Sequence, residues 1–422
     1  MVLKKKQFRL RSVHVVMRKI IVVFICLLPV IAFGQTANSI IPDTVSRQDT
    51  ARQTDLLDIA KSLVNIKAKP VKPKRGKKLY FSLIPFGGNV PGGNGRALMT
   101  STTASIYFGP METTTASTAT FAPYWNLGSR FGLPLRTSIW LPGNTWTIQG
   151  DTRFLHYPQL TWGLGSEREV DDNTLVNYNY IRFYQSALKR IRPYLFAGFG
   201  YNLDFHSNIK SDDTNTDLKQ FVNYQYGTAG SSFSSGITFN ILYDTRNSTV
   251  NPLPGAYANI AYRVNPEFLG SNENWNSLYI DVRKYVPMNR GKPLQQNTLA
   301  FWSYLWTAFN GKAPYLDLPS IGWDPYNRSG RGIDQNRYRG RTLFYLESEY
   351  RRDITSNGLL GFVVFANANT VSGSGSLFKS WHPAAGTGLR VKFSKASGTN
   401  IGVDYGVSKG YSAILLNLGE AF

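Results

Sequence analysis

The chain predicts an all-β fold, a transmembrane antiparallel β-barrel of about 16 strands. Three observations carry this. Aromatic residues are abundant, with 25 Phe, 24 Tyr and 9 Trp, while only 17% of residues are charged. Mean hydropathy is nevertheless only −0.24, and a single long apolar run occurs, Ile20 to Gly34, close to the N-terminus. Finally, apolar residues alternate with polar ones at period 2 along much of the chain, with charges kept to one face. A helical membrane protein needs several apolar runs of about 20 residues. A barrel does not, because only alternate residues meet lipid while the others face a wet lumen.

Residues 1–34 read as a secretory signal peptide. Met17-Arg18-Lys19 supplies the basic flank, Ile20 to Phe33 the apolar core, and Ala32-Phe33-Gly34 the small-x-small site before Gln35. Met17 is the better start. The alternative is a single membrane anchor. Cys26 lies inside the apolar core, so the expected mature chain has no thiol, which excludes disulfides and cysteine metal sites and suits an oxidising compartment.

Residues 35–78 are expected to be a disordered, basic periplasmic linker, with one weakly amphipathic stretch around Leu56–Val64 that could form a short helix. The formal net charge is +21, but residues 1–78 hold 17 of the 47 Lys and Arg and only 4 of the 26 Asp and Glu. The excess thus belongs to the leader and linker. The run from Lys67 to Lys78 contains Pro70 and Pro73 and no recognisable nucleic-acid module, so nucleic acid is excluded as a partner. Anionic lipid headgroups, or a periplasmic or lipoprotein partner, are the expected contacts of this basic stretch.

Residues 79–422 form the barrel. Ile237, Phe239, Ile241 and Tyr243 alternate with Thr238 and Asn240. Leu278, Ile280 and Val282 alternate with Tyr279, Asp281 and Arg283. Leu389, Val391 and Phe393 alternate with Arg390 and Lys392, and Ile401, Val403 and Tyr405 with Gly402 and Asp404. Sixteen strands are predicted, the first over 79–86, the seventh over 192–206 and the last over 411–422, with 14 as the other reading. With a periplasmic N-terminus, the long connections 157–173, 207–231 and 310–340 fall on the extracellular side and the short ones on the periplasmic side, the asymmetry usual for such barrels. Both termini are then periplasmic.

Three segments carry a family resemblance. Asp244-Thr245-Arg246 is followed by Pro252 and Gly255 at a strand-turn-strand junction. Gly330-Arg331-Gly332-Ile333 lies in a long loop, with Glu347 and Glu349-Tyr350-Arg351 on the next strand. The third runs from Gly386-Thr387-Gly388-Leu389-Arg390 through Asp404-Tyr405-Gly406 to Phe422. In order and spacing they resemble the barrel domain of the BamA/TamA superfamily, the bacterial surface antigens. The resemblance covers roughly residues 79–422. It implies that the loop folds into the lumen and that Arg331 meets Glu349, with Glu347 as a second candidate. The family's following strand usually supplies an aspartate, and Asn367 stands in its place. The plainer reading leaves Arg331 as a solvated loop residue, and makes Asp244 and Arg246 a turn-stabilising ion pair. Ile414, Leu416, Leu418 and Phe422 resemble the C-terminal signal by which outer-membrane proteins reach the insertion machinery. Phe422 could equally be an interfacial aromatic. Family assembly factors carry POTRA domains, and the 42 residues from Gln35 to Gly76 are too few for one.

No cofactor, metal or catalytic residue is expected. His14, His156, His206 and His382 lack metal-ligand spacing, and His206 is expected in an outer loop near Asp212 and Asp213. Gly406-Val407-Ser408-Lys409-Gly410 matches the serine-hydrolase pattern but lacks the strand-elbow-helix context. The expected function is outer-membrane protein assembly or translocation through a seam between first and last strands. The alternatives are a passive or selective pore and, more remotely, a hydrolase using Ser408.

Overall fold

The computed structural model describes residues 53–63, 80–89, 96–126, 130–212, 217–246, 248–252, 254–288, 295–325, 328–372, 379–395 and 398–422, with backbone alone for 80–89 and 96–101. The expected signal peptide, residues 1–34, and the Lys67–Lys78 run lie outside these residues.

Strand segments follow the alternating stretches. They are β1 (Tyr80–Asn89), β2 (Arg96–Ile106), β3 (Ser117–Phe121), β4 (Tyr124–Asn126), β5 (Arg130–Trp140) and β6 (Trp146–His156). Next come β7 (Gln159–Thr161), β8 (Thr174–Arg192), β9 (Leu195–Ser211), β10 (Gly230–Asp244), β11 (Gly255–Asn265) and β12 (Trp275–Pro287). The last six are β13 (Asn297–Ala308), β14 (Thr342–Asp353), β15 (Leu360–Val371), β16 (His382–Ser394), β17 (Thr399–Ser408) and β18 (Tyr411–Leu418). Among the described residues these 18 segments make 16 strands. β3 and β4 both pair with β2 and β5, and β6 and β7 both lie along β8. Each break holds a proline, Pro123 or Pro158, which has no N–H to give to a ladder.

Every strand pairs antiparallel with the next in the chain, from β1–β2 round to β17–β18. β1 and β18, the two ends of the sheet, come into contact, yet among the described residues they share no ladder. Pro85 stands in the middle of β1, a position tolerated at a sheet edge.

The two faces are inverted relative to a soluble sandwich. Phe154, Phe183, Phe199, Phe239, Val364, Leu389, Val403 and Ile414 are exposed on the outer wall. Arg153, Arg182, Asp204, Arg263, Asp281, Arg283, Glu347, Glu349, Arg351, Arg390 and Asp404 are buried inside. An apolar belt outside and a polar interior are what a lipid-embedded barrel requires. No described helix is long and apolar enough to cross a membrane.

Two expectations about boundaries need correction. β9 runs to Ser211, so His206 is a buried, inward strand residue stacked on Tyr180 at 4.3 Å, and not a loop residue. The last strand stops at Leu418. Gly419 takes a φ of +83° and sends Glu420, Ala421 and Phe422 into the barrel.

The linker also differs in part. Leu56–Leu63 is a helix, α1, and it is docked. The Lys395 backbone N–H donates to Asp55 at 2.8 Å and its ammonium to Asp58 at 2.7 Å, while the Thr54 N–H donates to the Asn357 carbonyl at 3.1 Å. These contacts tie α1 to the β14–β15 and β16–β17 turns, at the barrel end that carries the chain terminus. Two carboxylates spaced to meet one lysine give the stretch an ordering contact that its composition alone did not reveal.

The long β13–β14 loop enters from the opposite end and fills the lumen. Tyr315, Leu318, Ile321, Trp323 and Ile333 are buried there. They form apolar clusters with wall residues such as Tyr157, Tyr178, Trp302 and Tyr345.

Candidate functional site: a carboxylate clasp on the lumen loop

Period-2 alternation on β14 points Tyr345, Glu347, Glu349 and Arg351 inward as one column. Register sets Glu347 opposite Asn367 and Glu349 opposite Phe365 on β15. The loop delivers Arg331 to this column. Its guanidinium contacts Glu347 and Glu349 and donates to Asp404 on β17 at 2.8 Å. Phe365 lies beneath it, with the ring centroid 3.8 Å from the guanidinium carbon. The Asn367 side-chain amide donates to the Arg331 carbonyl at 2.9 Å. Asn367 therefore holds the loop backbone where the family aspartate would have added charge.

Asp404 is the acid that motif reading missed as a partner of Arg331. Its signal was present: alternation with Val403 and Tyr405 puts it on the inner face of β17. The remaining charges interlock. Arg351 donates to Glu349 at 2.5 Å, and Arg390 donates to Asp404 at 2.5 Å and to Glu420 at 2.8 Å. Burying a guanidinium is costly unless carboxylates surround it in good geometry. Here each charge has an opposite partner.

Glycines allow the approach. Gly330 and Gly332 have φ of +77° and +86°, a region L side chains rarely enter. A Cβ on Gly332 would stand 2.7 Å from the Val407 backbone N. Gly330 donates its N–H to the Tyr345 hydroxyl at 3.0 Å.

The loop reaches the opposite wall as well. The Pro325 carbonyl accepts from Arg136 on β5 at 2.9 Å and from Arg153 on β6 at 2.6 Å. Gln335 accepts from the Tyr157 hydroxyl at 2.8 Å. A third anchor is Asp317, which accepts from Ser234 on β10 at 2.6 Å and lies 3.7 Å from His206. Burial, with the Asp204 carboxylate nearby, pushes the Asp317 carboxyl up to about 7 against the pull of Arg263 and Arg182. The loop is thus a plug fastened to several walls.

The strand-turn signature forms its own unit. Arg246 chelates Asp244 through Nε at 2.9 Å and Nη2 at 2.8 Å, over the Tyr257 ring at 4.2 Å. Pro252 is buried, and Gly255 has a φ of +130° beneath the Thr245 carbonyl. The turn then meets the C-terminal tail, because the Glu420 N–H donates to the Val250 carbonyl at 2.9 Å. Asn251 joins Gln296 at 2.8 Å.

Of the C-terminal residues, Ile414 is exposed on the outer wall and Leu416 and Leu418 are half-buried. Phe422 departs from that face. Its ring packs on Trp302 at 5.3 Å, and its backbone oxygen accepts from Arg351 at 2.9 Å. Arg328 of the loop donates to the Glu420 carbonyl, so plug and tail are joined directly. β17 ends at Ser408 and only Lys409 and Gly410 separate it from β18, so the hydrolase pattern has no elbow.

The Omp85 superfamily domain model matches residues 123–411. The chain belongs to the Omp85 superfamily. It is similar in structure to BamA from Haemophilus ducreyi lacking POTRA domains 1–3, with a TM-score of 0.51 at 13% identity, covering 90% of this chain and 82% of that one. It also matches CdiB from Acinetobacter baumannii, with a TM-score of 0.48 at 12% identity, covering 86% of this chain and 68% of that one. No curated protein sequence matches it. The molecule is an outer-membrane β-barrel of the Omp85 assembly and translocation type.

Proposed function

We propose that this Omp85 barrel assembles or translocates outer-membrane proteins by opening the seam between β1 and β18, with the lumen kept shut by the β13–β14 loop. One observation carries the reading. The loop is fastened to opposite walls through Arg331 and Pro325, whereas the two ends of the sheet touch without ladder bonds among the described residues. A client segment thus meets less resistance at the seam than through the bore. The same reading puts both termini and α1 in the periplasm, because the longest connections, 212–229 and 309–341, lie at the other end. The chain itself would reach the membrane through a leader and the insertion machinery.

A disulfide across the seam tests this. Leu83→Cys with Leu416→Cys, oxidised in cells, is expected to lower the amount of folded outer-membrane proteins, and reductant should restore it. Unchanged levels with the seam fully cross-linked would refute the gating role.

A further inference from the structure

We propose that α1 is an interfacial anchor that lies in the lipid leaflet beside the end of the barrel carrying the chain terminus. The proposal rests on how the helix is docked and not on the seam reading.

Helical geometry puts Leu56, Ile59, Ala60 and Leu63 along one face, with Leu57 at its edge. A surface helix of a soluble protein turns such a face to the core. Here the orientation is reversed. Asp55 is buried and Asp58 is half-buried against Lys395, while Leu57 is 40%, Ile59 36% and Leu63 79% exposed. No residue of the helix itself is buried. The acids hold the helix to the barrel with Leu56 half-buried beside them, while Leu57, Ile59 and Leu63 stand exposed.

The location supplies the occupant. α1 packs against the end of β16, and β16 carries Leu389 on the outer wall, 64% exposed. Ile354 on the β14–β15 turn and Leu360 at the start of β15 are 60% and 41% exposed. This rim is where a lipid-embedded wall meets its headgroup layer. An apolar helix face held there enters the boundary between headgroups and acyl chains, as interfacial helices do. Charge favours the same occupant. After α1 the sequence places seven Lys and Arg and no acid between Lys67 and Lys78, and such a run is attracted to anionic headgroups. The ligand is accordingly an anionic phospholipid surface.

The test uses the whole barrel with Cys26→Ser and a nitrobenzoxadiazole label on Leu63→Cys, in nanodiscs of phosphatidylethanolamine and phosphatidylglycerol. Some lipids carry a doxyl quencher on the acyl chain. A blue-shifted emission and loss of most of the signal to the doxyl lipid are expected, with no quenching for a label on Ser62→Cys, which shares the docked face with Asp55 and Asp58. Replacing phosphatidylglycerol by phosphatidylcholine should reduce the quenching. Water-like emission at position 63 would overturn the proposal. So would a shielded label that doxyl lipid does not quench, which would mean a protein occupant such as a second copy. Quenching unchanged by removal of the anionic lipid would overturn the headgroup assignment.

Discussion

Gly332 and Gly406 lie back to back: a Cβ on Gly406 would stand 2.8 Å from the Gly332 Cα. This contact between loop and β17 lets the neighbouring Arg331 sink to the depth of Asp404. Gly406→Ala should lift the loop from the wall, with overpacking costing about 1–3 kcal/mol. Limited proteolysis of the β13–β14 loop, read beside heat-modifiable migration of the barrel, would check this. The loop should become cleavable while the barrel stays folded. A protected loop in the variant would argue against the close contact.

Arg331→Ala removes the cation from between three acids. Breaking a buried ion pair costs about 3–5 kcal/mol because the partners are left uncompensated. Hydrogen exchange should rise across the loop and in the facing part of β14, with the sheet intact. Arg331→Lys should restore little, since an ammonium cannot reach Glu347, Glu349 and Asp404 with a planar fork.

A charge swap is expected to fail. Glu349 also pairs with Arg351, so Arg331→Glu with Glu349→Arg brings two guanidinium groups together in the lumen wall. The double variant should be less protected from protease than Arg331→Ala. Recovery to wild-type protection would contradict the shared-acid arrangement.

Loop docking should weaken with rising pH. The Asp317 carboxyl is raised from 3.8 to about 7, first by burial and then by Asp204. The docked state therefore binds the proton more tightly than the free loop. Its contribution is fully present below the ordinary 3.8 and is lost as pH rises through about 7. Ser234, His206, Tyr180, Tyr184, Arg182 and Arg263 surround this carboxyl or its partner Asp204. Loop exchange, corrected for the intrinsic pH dependence, should be faster at pH 8 than at pH 5, and Asp317→Asn should flatten the difference.

Much of this architecture was legible in the sequence, because a period-2 pattern with charges on one face specifies both strand and orientation. The alternation of Ile237, Phe239, Ile241 and Tyr243 falls within β10, Gly230–Asp244, and that of Ile401, Val403 and Tyr405 within β17, Thr399–Ser408. The meeting of Arg331 with Glu347 and Glu349 was implied by the family resemblance, with alternation placing both acids on one face of their strand. Asp404 was harder to see, because β15 and β16 lie between its strand and β14. The inward turn at Gly419 was hidden for another reason. A terminal Phe spaced an even number of residues from Leu418 reads as the same face unless a glycine resets the chain direction. The docking of α1 depends on Asp55 and Asp58 meeting Lys395, 340 and 337 residues further along the chain, and no local pattern carries that.

The central claim is that the lumen is closed by a loop held through Arg331, so the barrel is not an open pore. Single-channel recording in planar bilayers tests it most directly. Wild-type protein should show low, flickering conductance, and deletion of 311–340 should raise it to a large, steady level, with Arg331→Ala in between. Large, steady conductance in the wild type, unchanged by either variant, would contradict the account.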